Sequence, residues 1–392
     1  MRAAALVVFA WIAVPLHCEA AGWRGDGSGR HPDVSPPSEW AEDKNVAWRT
    51  KVGSSYASPV VVGDRVFVTA EPDLLVCVDT VSGKVLWQKC NGIGELPDEL
   101  RPGPDVRFPS QCGYATPTPC SDGKRVYALF GTGVVAAYDL EGKRLWVTLL
   151  GARKKQREPY GRAASPLVVG DRLLVQVNTL QALDAATGKP VWNAQSVEPT
   201  FGTPVATTIG DVPVVVTTRG EIVRVSDGKV LASELGTVNC ASPIVQDGAV
   251  YFIDSIARAV RLSGKAGGRV EVQKLWTARL PGVPYASPVW DDGLIHTVTK
   301  DGVYCVLEAA TGKIVLSKRL DILPDCSGSL SVAGGRLFLS SDAGVVLVLQ
   351  PGREYKELRR NELELGSVAT PAFSGKRIFL RGGEFLYCVA GQ

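Results

Sequence analysis

The chain is poor in the residues that most often do chemistry. It has three histidines, His17, His31 and His296, and one methionine in 392 residues. So few imidazoles leave little material for a histidine base or a histidine-ligated metal centre. No two of its nine cysteines are adjacent and no Cys-x-x-Cys pair exists, so a zinc ribbon is not indicated. There is no Gly-rich phosphate loop, Gly-x-Ser-x-Gly elbow or paired-carboxylate motif. Asp254 and Asp301 follow second strands of a repeat, where single acidic residues act as turn caps. Scattered Asp and Glu leave a hydrolase open as a chemistry, without naming its residues. His296, within Leu294-Ile295-His296-Thr297-Val298, reads as a satisfied strand residue.

Charge excess is also missing. Lys and Arg number 43 against 40 Asp and Glu, a formal +3, so nothing asks for nucleic acid as a partner. Beyond the first twenty residues no apolar run is long enough for a membrane helix. Residues 1–20 read as a secretory signal, with Arg2, an apolar stretch from Ala3 to Val14, and small residues at Cys18 and Ala20 before the cut. Export to the periplasm, cell envelope or exterior is therefore expected. His17 stands before Cys18 where a lipid-attachment motif wants a small residue, which argues against a lipoprotein. Residues 21–44 are rich in Gly, Pro and charge, and a loosely ordered leader is expected there. Within it Arg24-Gly25-Asp26 spells an integrin-type tripeptide, a match short enough to arise by chance.

What is present is repetition. A small residue, then Ser or Thr, then Pro recurs at Ala57-Ser58-Pro59, Ala115-Thr116-Pro117, Ala164-Ser165-Pro166, Gly202-Thr203-Pro204, Ala241-Ser242-Pro243, Ala286-Ser287-Pro288 and Ala369-Thr370-Pro371. A degraded copy, Gly328-Ser329-Leu330, sits midway in the one double-length gap. Eight copies at roughly 40 residues fit the blades of a propeller. Each phrase opens a β-branched run, a Gly/Asp turn and a second run, as in Pro59 to Val68. Proline has no N–H for a ladder, so each such strand belongs on a sheet edge, and in a propeller that edge faces the central channel. The Ser or Thr beside it suits a narrow polar channel wall.

The second half of the repeat carries its own signature. Ala182 through Asp184, Thr187-Gly188-Lys189 and Trp192 form the cleanest copy, and Cys77 to Trp87 and Ala137 to Trp146 match it. Glu308 to Leu316 keeps the frame without the Trp, and Gly228-Lys229 to Ala232 is weaker. Asp and Thr bond the turn backbone and Gly supplies the positive φ. Trp48, Trp87, Trp146, Trp192 and Trp276 are assigned to docking between blades. This turn resembles the tryptophan-docking repeat of the pyrroloquinoline-quinone (PQQ) family of propellers, over roughly residues 45 to 390. The family includes quinoprotein dehydrogenases and the non-enzymatic assembly lipoprotein BamB. The resemblance implies an all-β, eight-bladed propeller of four-stranded antiparallel blades, residues 45–392. Residues 45–51 read as an outer strand preceding the first inner one, so they are expected to complete the last blade and remove an exposed edge.

For activity the resemblance points two ways. A quinoprotein would hold PQQ over a calcium ion with an Asp as base. No vicinal cysteine pair and no Glu/Asn calcium segment of that branch can be carried over. The expectation is therefore a non-catalytic, exported scaffold with no cofactor, monomeric by default, that binds an envelope or extracellular protein or ligand. The alternative is a PQQ- and calcium-dependent oxidoreductase. Loops 88–114 and 149–163 lie on one face, and the basic run Arg153, Lys154, Lys155, Arg157 reads as a solvated loop or a patch for an acidic partner. Tyr56, Tyr114, Phe201 and Tyr285 precede the repeated phrase in four copies, with Ala163, Cys240, Ser327 and Val368 in the others. This partial aromatic collar either stacks on a ligand or packs between blades. Cys90 and Cys112 bracket the insertion 91–111, where a disulfide staple is expected.

Overall fold

The computed structural model describes residues 21–103, 113–151, 162–265, 269–322, 326–363 and 369–391. Eight antiparallel blades occupy residues 60–90, 120–149, 167–194, 205–232, 244–279, 289–319, 331–362 and 372–390, the last completed by Val46–Lys51. Val46–Lys51 pairs antiparallel with Phe385–Ala390, so the outer strand of blade 8 comes from before blade 1 and the ring closes by strand exchange. Among the described residues helix is limited to two short 3-10 turns, Ile93–Glu95 and Asp98–Leu100.

Local chemistry explains each blade. In blade 3 the Asp184 carboxylate accepts from the Thr187 N–H at 2.8 Å and its hydroxyl at 2.7 Å, while Gly188 takes φ +71°. Asp79 and Ser82 repeat this in blade 1. Five such turns receive the tryptophan of the blade before them. Trp48, Trp87, Trp146, Trp192 and Trp276 donate Nε1–H to the carbonyls of Thr80, Leu140, Ala185, Val225 and Ala309, at 2.8–3.2 Å. The same rings cover Gly83, Gly142, Gly188, Gly228 and Gly312, where an added Cβ would come within 2.4–2.8 Å of the indole. Glycine is required there twice over, for the left-handed backbone and for the close approach.

Blade 4 ends in a short outer strand, Val230–Ala232, with no tryptophan. Its neighbour compensates with a long hairpin, Ile256–Lys265 and Arg269–Arg279, whose Leu262, Val270 and Val272 pack on Ile209 and Val214 of blade 4. At the closing seam Arg381 of blade 8 is fully buried and donates to the carbonyls of Thr69 in blade 1 and of Gly53, just after the closing strand. Burial lowers its pKa to about 9, against the raising influence of nearby Glu71.

The leader departs from expectation. Residues 21–44 are tied across the ring rather than loose. Ala21 exchanges backbone hydrogen bonds with Ser121 on the inner strand of blade 2. Arg24 donates to the carbonyls of Pro288 and Leu330, immediately before the inner strands of blades 6 and 7. Arg30–His31 then adds a fifth, parallel strand to the inner edge of blade 7. Further along, Trp40 is buried and its N–H donates to Asn361. The glycines that mark the segment as loose instead supply turns, with φ of +74°, +90° and +72° at Gly25, Gly27 and Gly29. Blade 7 is also the one blade whose repeated phrase has Leu330 in place of proline. The inner edge that accepts another strand is the one that has dispensed with it.

Candidate functional site: a blind funnel on the ring axis

The repeated Ser and Thr do more than line the channel. The backbone N–H of Ser58 donates to Thr118 Oγ1, Thr118 to Ser165, Ser165 to Thr203, Thr203 to Ser242, Ser242 to Ser287, Ser287 to Ser329, and Ser329 to Thr370, all at 2.9–3.1 Å. All eight residues are buried, 1–8% exposed. The phrase thus recurs because seven of these hydroxyls each satisfy a buried backbone donor of the preceding blade, which is costly to leave unpaired. In blade 2 the ring member is Thr118, before Pro119, rather than Thr116. Two overlapping phrases stand in Ala115-Thr116-Pro117-Thr118-Pro119, and only the register across blades chooses between them.

These eight residues line a cavity of about 530 Å³ on the axis, together with Tyr56, Phe201, Tyr285, Ser327, Asp342 and Trp23 among others. Tyr56 is 62% exposed and Tyr285 40% exposed. Three members of the collar therefore share one cavity. Tyr114 is not among the lining residues; its N–H and that of Ala115 donate to the Glu71 carboxylate at 2.9 and 2.7 Å. Trp23 was invisible to repeat reasoning, because it comes from the leader that crosses the channel. With the leader joined to blade 2 on one side and blades 6 and 7 on the other, the cavity is a funnel closed at one end.

Other candidates disperse. His296 is buried, with Nδ1 2.7 Å from the Tyr304 hydroxyl, and burial pushes its pKa down to about 4. His31 packs 5.0 Å from the Phe373 ring and is likewise pushed down to about 4 by burial. Asp254 accepts from the Ser255 N–H, and Asp301 lies 3.8 Å from Lys300. Arg24 of the tripeptide is 3% exposed, which removes it from any surface recognition. The basic run Arg153, Lys154, Lys155, Arg157 lies outside the described residues, as do Cys112 and Val368. The Cys90–Cys112 staple is outside them too; Cys90 Sγ is 3.1 Å from Asp73 Oδ1.

Among the described residues no group of three or more His, Cys, Asp or Glu is placed to hold a metal ion. The described funnel lining offers one carboxylate, Asp342, whose Oδ2 already accepts from the Ser327 hydroxyl at 2.7 Å. Calcium takes about six to eight oxygen ligands, several of them carboxylates, and this donor set does not fit it. No described helix is long and apolar enough to cross a membrane.

Fold and channel together define an eight-bladed propeller of the PQQ-repeat class. The family model described as outer membrane protein assembly factor BamB matches residues 40–178, 176–270 and 254–388, and the chain belongs to that family. No curated protein sequence matches it. Among solved structures it is similar to BamB from Moraxella catarrhalis, with TM-score 0.65 and 14% identity over 88% of this chain and 99% of that one. It is similar also to a europium-containing methanol dehydrogenase, TM-score 0.63 and 14% identity over 93% and 90%. The quinohemoprotein alcohol dehydrogenase from Comamonas testosteroni gives 0.64 and 12% over 95% and 81%. At such identities these likenesses are likenesses of fold.

Proposed function

We propose that this protein is an exported, non-catalytic scaffold whose funnel-bearing face binds a protein of the cell envelope. The observation that carries the reading is the pairing of a rigid, hydrogen-bonded ring with an open cavity rimmed by aromatics, the exposed Tyr56 and Tyr285 and the half-buried Phe201. Aromatic side chains on a fixed frame bind at low entropic cost. Belonging to the family described as an assembly factor supports a protein partner. The alternative is a PQQ- and calcium-dependent oxidoreductase, supported by the fold likeness to two dehydrogenases.

One experiment separates them. The wild type and a Tyr56→Ser/Phe201→Ser/Tyr285→Ser variant are used to capture partners from envelope extract, after melting curves establish that both are folded. Capture by the wild type alone is the expected result, and equal capture rules the rim out. In parallel the wild type is incubated with PQQ and Ca²⁺, and quinone absorbance and alcohol-dependent dye reduction are recorded. Appearance of either would overturn the scaffold reading.

A further inference from the structure

Three features of the funnel limit what can enter it. The first is its closed end. The crossing segment Ala21–His31 blocks the channel between blade 2 and blades 6 and 7, so an occupant must insert an end and cannot thread through. The second is hydrogen-bond polarity. Thr118, Ser165, Thr203, Ser242, Ser287, Ser329 and Thr370 each use Oγ to accept a backbone N–H. Among the described residues none of these hydroxyls donates, so a ring of O–H donors lines the cavity and asks for acceptor oxygens. The third is charge. The Arg24 guanidinium lies 5.1 Å from the centre of the Trp23 ring at the closed end, 3% exposed. It bonds two carbonyls, its Nε has no partner, and no described carboxylate lies within ion-pair distance. Asp26 attracts Arg24 at longer range, but it is exposed and accepts from the Ser28 N–H. A buried cation without an ion-pair partner favours an anion nearby. Asp342, the one carboxylate of the described lining, works against an occupant carrying many negative charges.

We propose that the funnel captures a single carboxylate at the end of a chain, the C-terminus of a partner protein, with its last side chain against Trp23 and the rim aromatics. The proposal rests on the scaffold reading and specifies what the partner inserts. The ring hydroxyls donate to the carboxylate oxygens, and Arg24 supplies the positive field behind the indole. Charge-assisted hydrogen bonds of this kind are roughly twice as strong as neutral ones. The cavity lies within the size range of preformed ligand pockets.

The test uses two small probes that differ at one group. Hippurate, N-benzoylglycine, presents an amide, an aromatic ring and a terminal carboxylate; hippuramide replaces the carboxylate with a neutral amide. Binding of each to the full chain is measured by titration calorimetry and ligand-observed NMR. Hippurate is expected to bind at least about tenfold more tightly than hippuramide, the loss that follows when hydrogen bonds to a charged group are weakened. Trp23→Ala and Phe201→Ser, which remove apolar contacts and leave the ring hydroxyls and Arg24 in place, should each weaken both probes together and keep the ratio between them. Equal affinities, or no binding of hippurate at millimolar concentration, overturn the proposal. The probe pair needs no partner, so its failure leaves the envelope capture result standing, and failure of capture leaves the probe result standing.

Discussion

The inter-blade hydroxyl ring makes a sharp prediction at Ser242. Its Oγ accepts the Thr203 N–H at 2.9 Å, while its own N–H donates onward to Ser287. Both Ser242 and Thr203 are buried, so the Thr203 N–H has no ready access to water. Ser242→Ala keeps the volume nearly unchanged and deletes only the acceptor. A buried donor left unpaired costs about 1–3 kcal/mol. Ser242→Thr restores the oxygen, and threonine already occupies equivalent places at Thr118, Thr203 and Thr370. It should therefore fall within about 0.5 kcal/mol of the wild type, as substitutions that keep packing and partners do. Urea denaturation midpoints and thermal melting of the three proteins decide the matter. An alanine variant as stable as the wild type, or a threonine variant as unstable as the alanine, would refute the idea that the hydroxyls hold the blades together.

The remaining predictions concern packing and pH. Trp192→Ala removes an indole that covers Gly228 and bonds the Val225 carbonyl, and should cost about 3 kcal/mol, the lower end of the range for a buried tryptophan because this one is half-buried. A thermal shift near zero would contradict the wedge role. Burial holds His296 at about 4 in the folded protein against an ordinary value near 6.5. Between those values only the unfolded chain binds the proton, so the histidine's contribution is full above pH 6.5 and is lost as pH falls toward 4. Across that window the loss is about 3 kcal/mol. Stability measured against pH should fall less steeply in His296→Phe than in the wild type, and parallel curves would remove the histidine from the acid response.

How much of this was legible depends on how local the signal is. The proline edges, the Asp-Ser/Thr-Gly turns and the tryptophans are short-range chemistry written out repeatedly, and the turns of blades 1 and 3 correspond residue by residue. The choice of Thr118 over Thr116 was not legible, because both precede a proline and only inter-blade register separates them. Nor was the crossing segment. Arg24 meets Leu330 across 306 residues, and no pattern within residues 21–44 announces such a partner. Glycine-rich composition reads as looseness when seen alone, yet here it provides the left-handed turns of a strand addition.

The sequence alone set the number of blades, the strand order within each, and the closing strand Val46–Lys51, since each follows from local turn chemistry repeated at a fixed interval. Tertiary structure decided the rest: that hydroxyls link blade to blade, that Tyr114 leaves the collar while Trp23 joins Tyr56, Phe201 and Tyr285, and that the channel is closed at one end. These depend on groups tens to hundreds of residues apart meeting at one axis. Contacts of that range are fixed by closing the ring, and no local propensity encodes them.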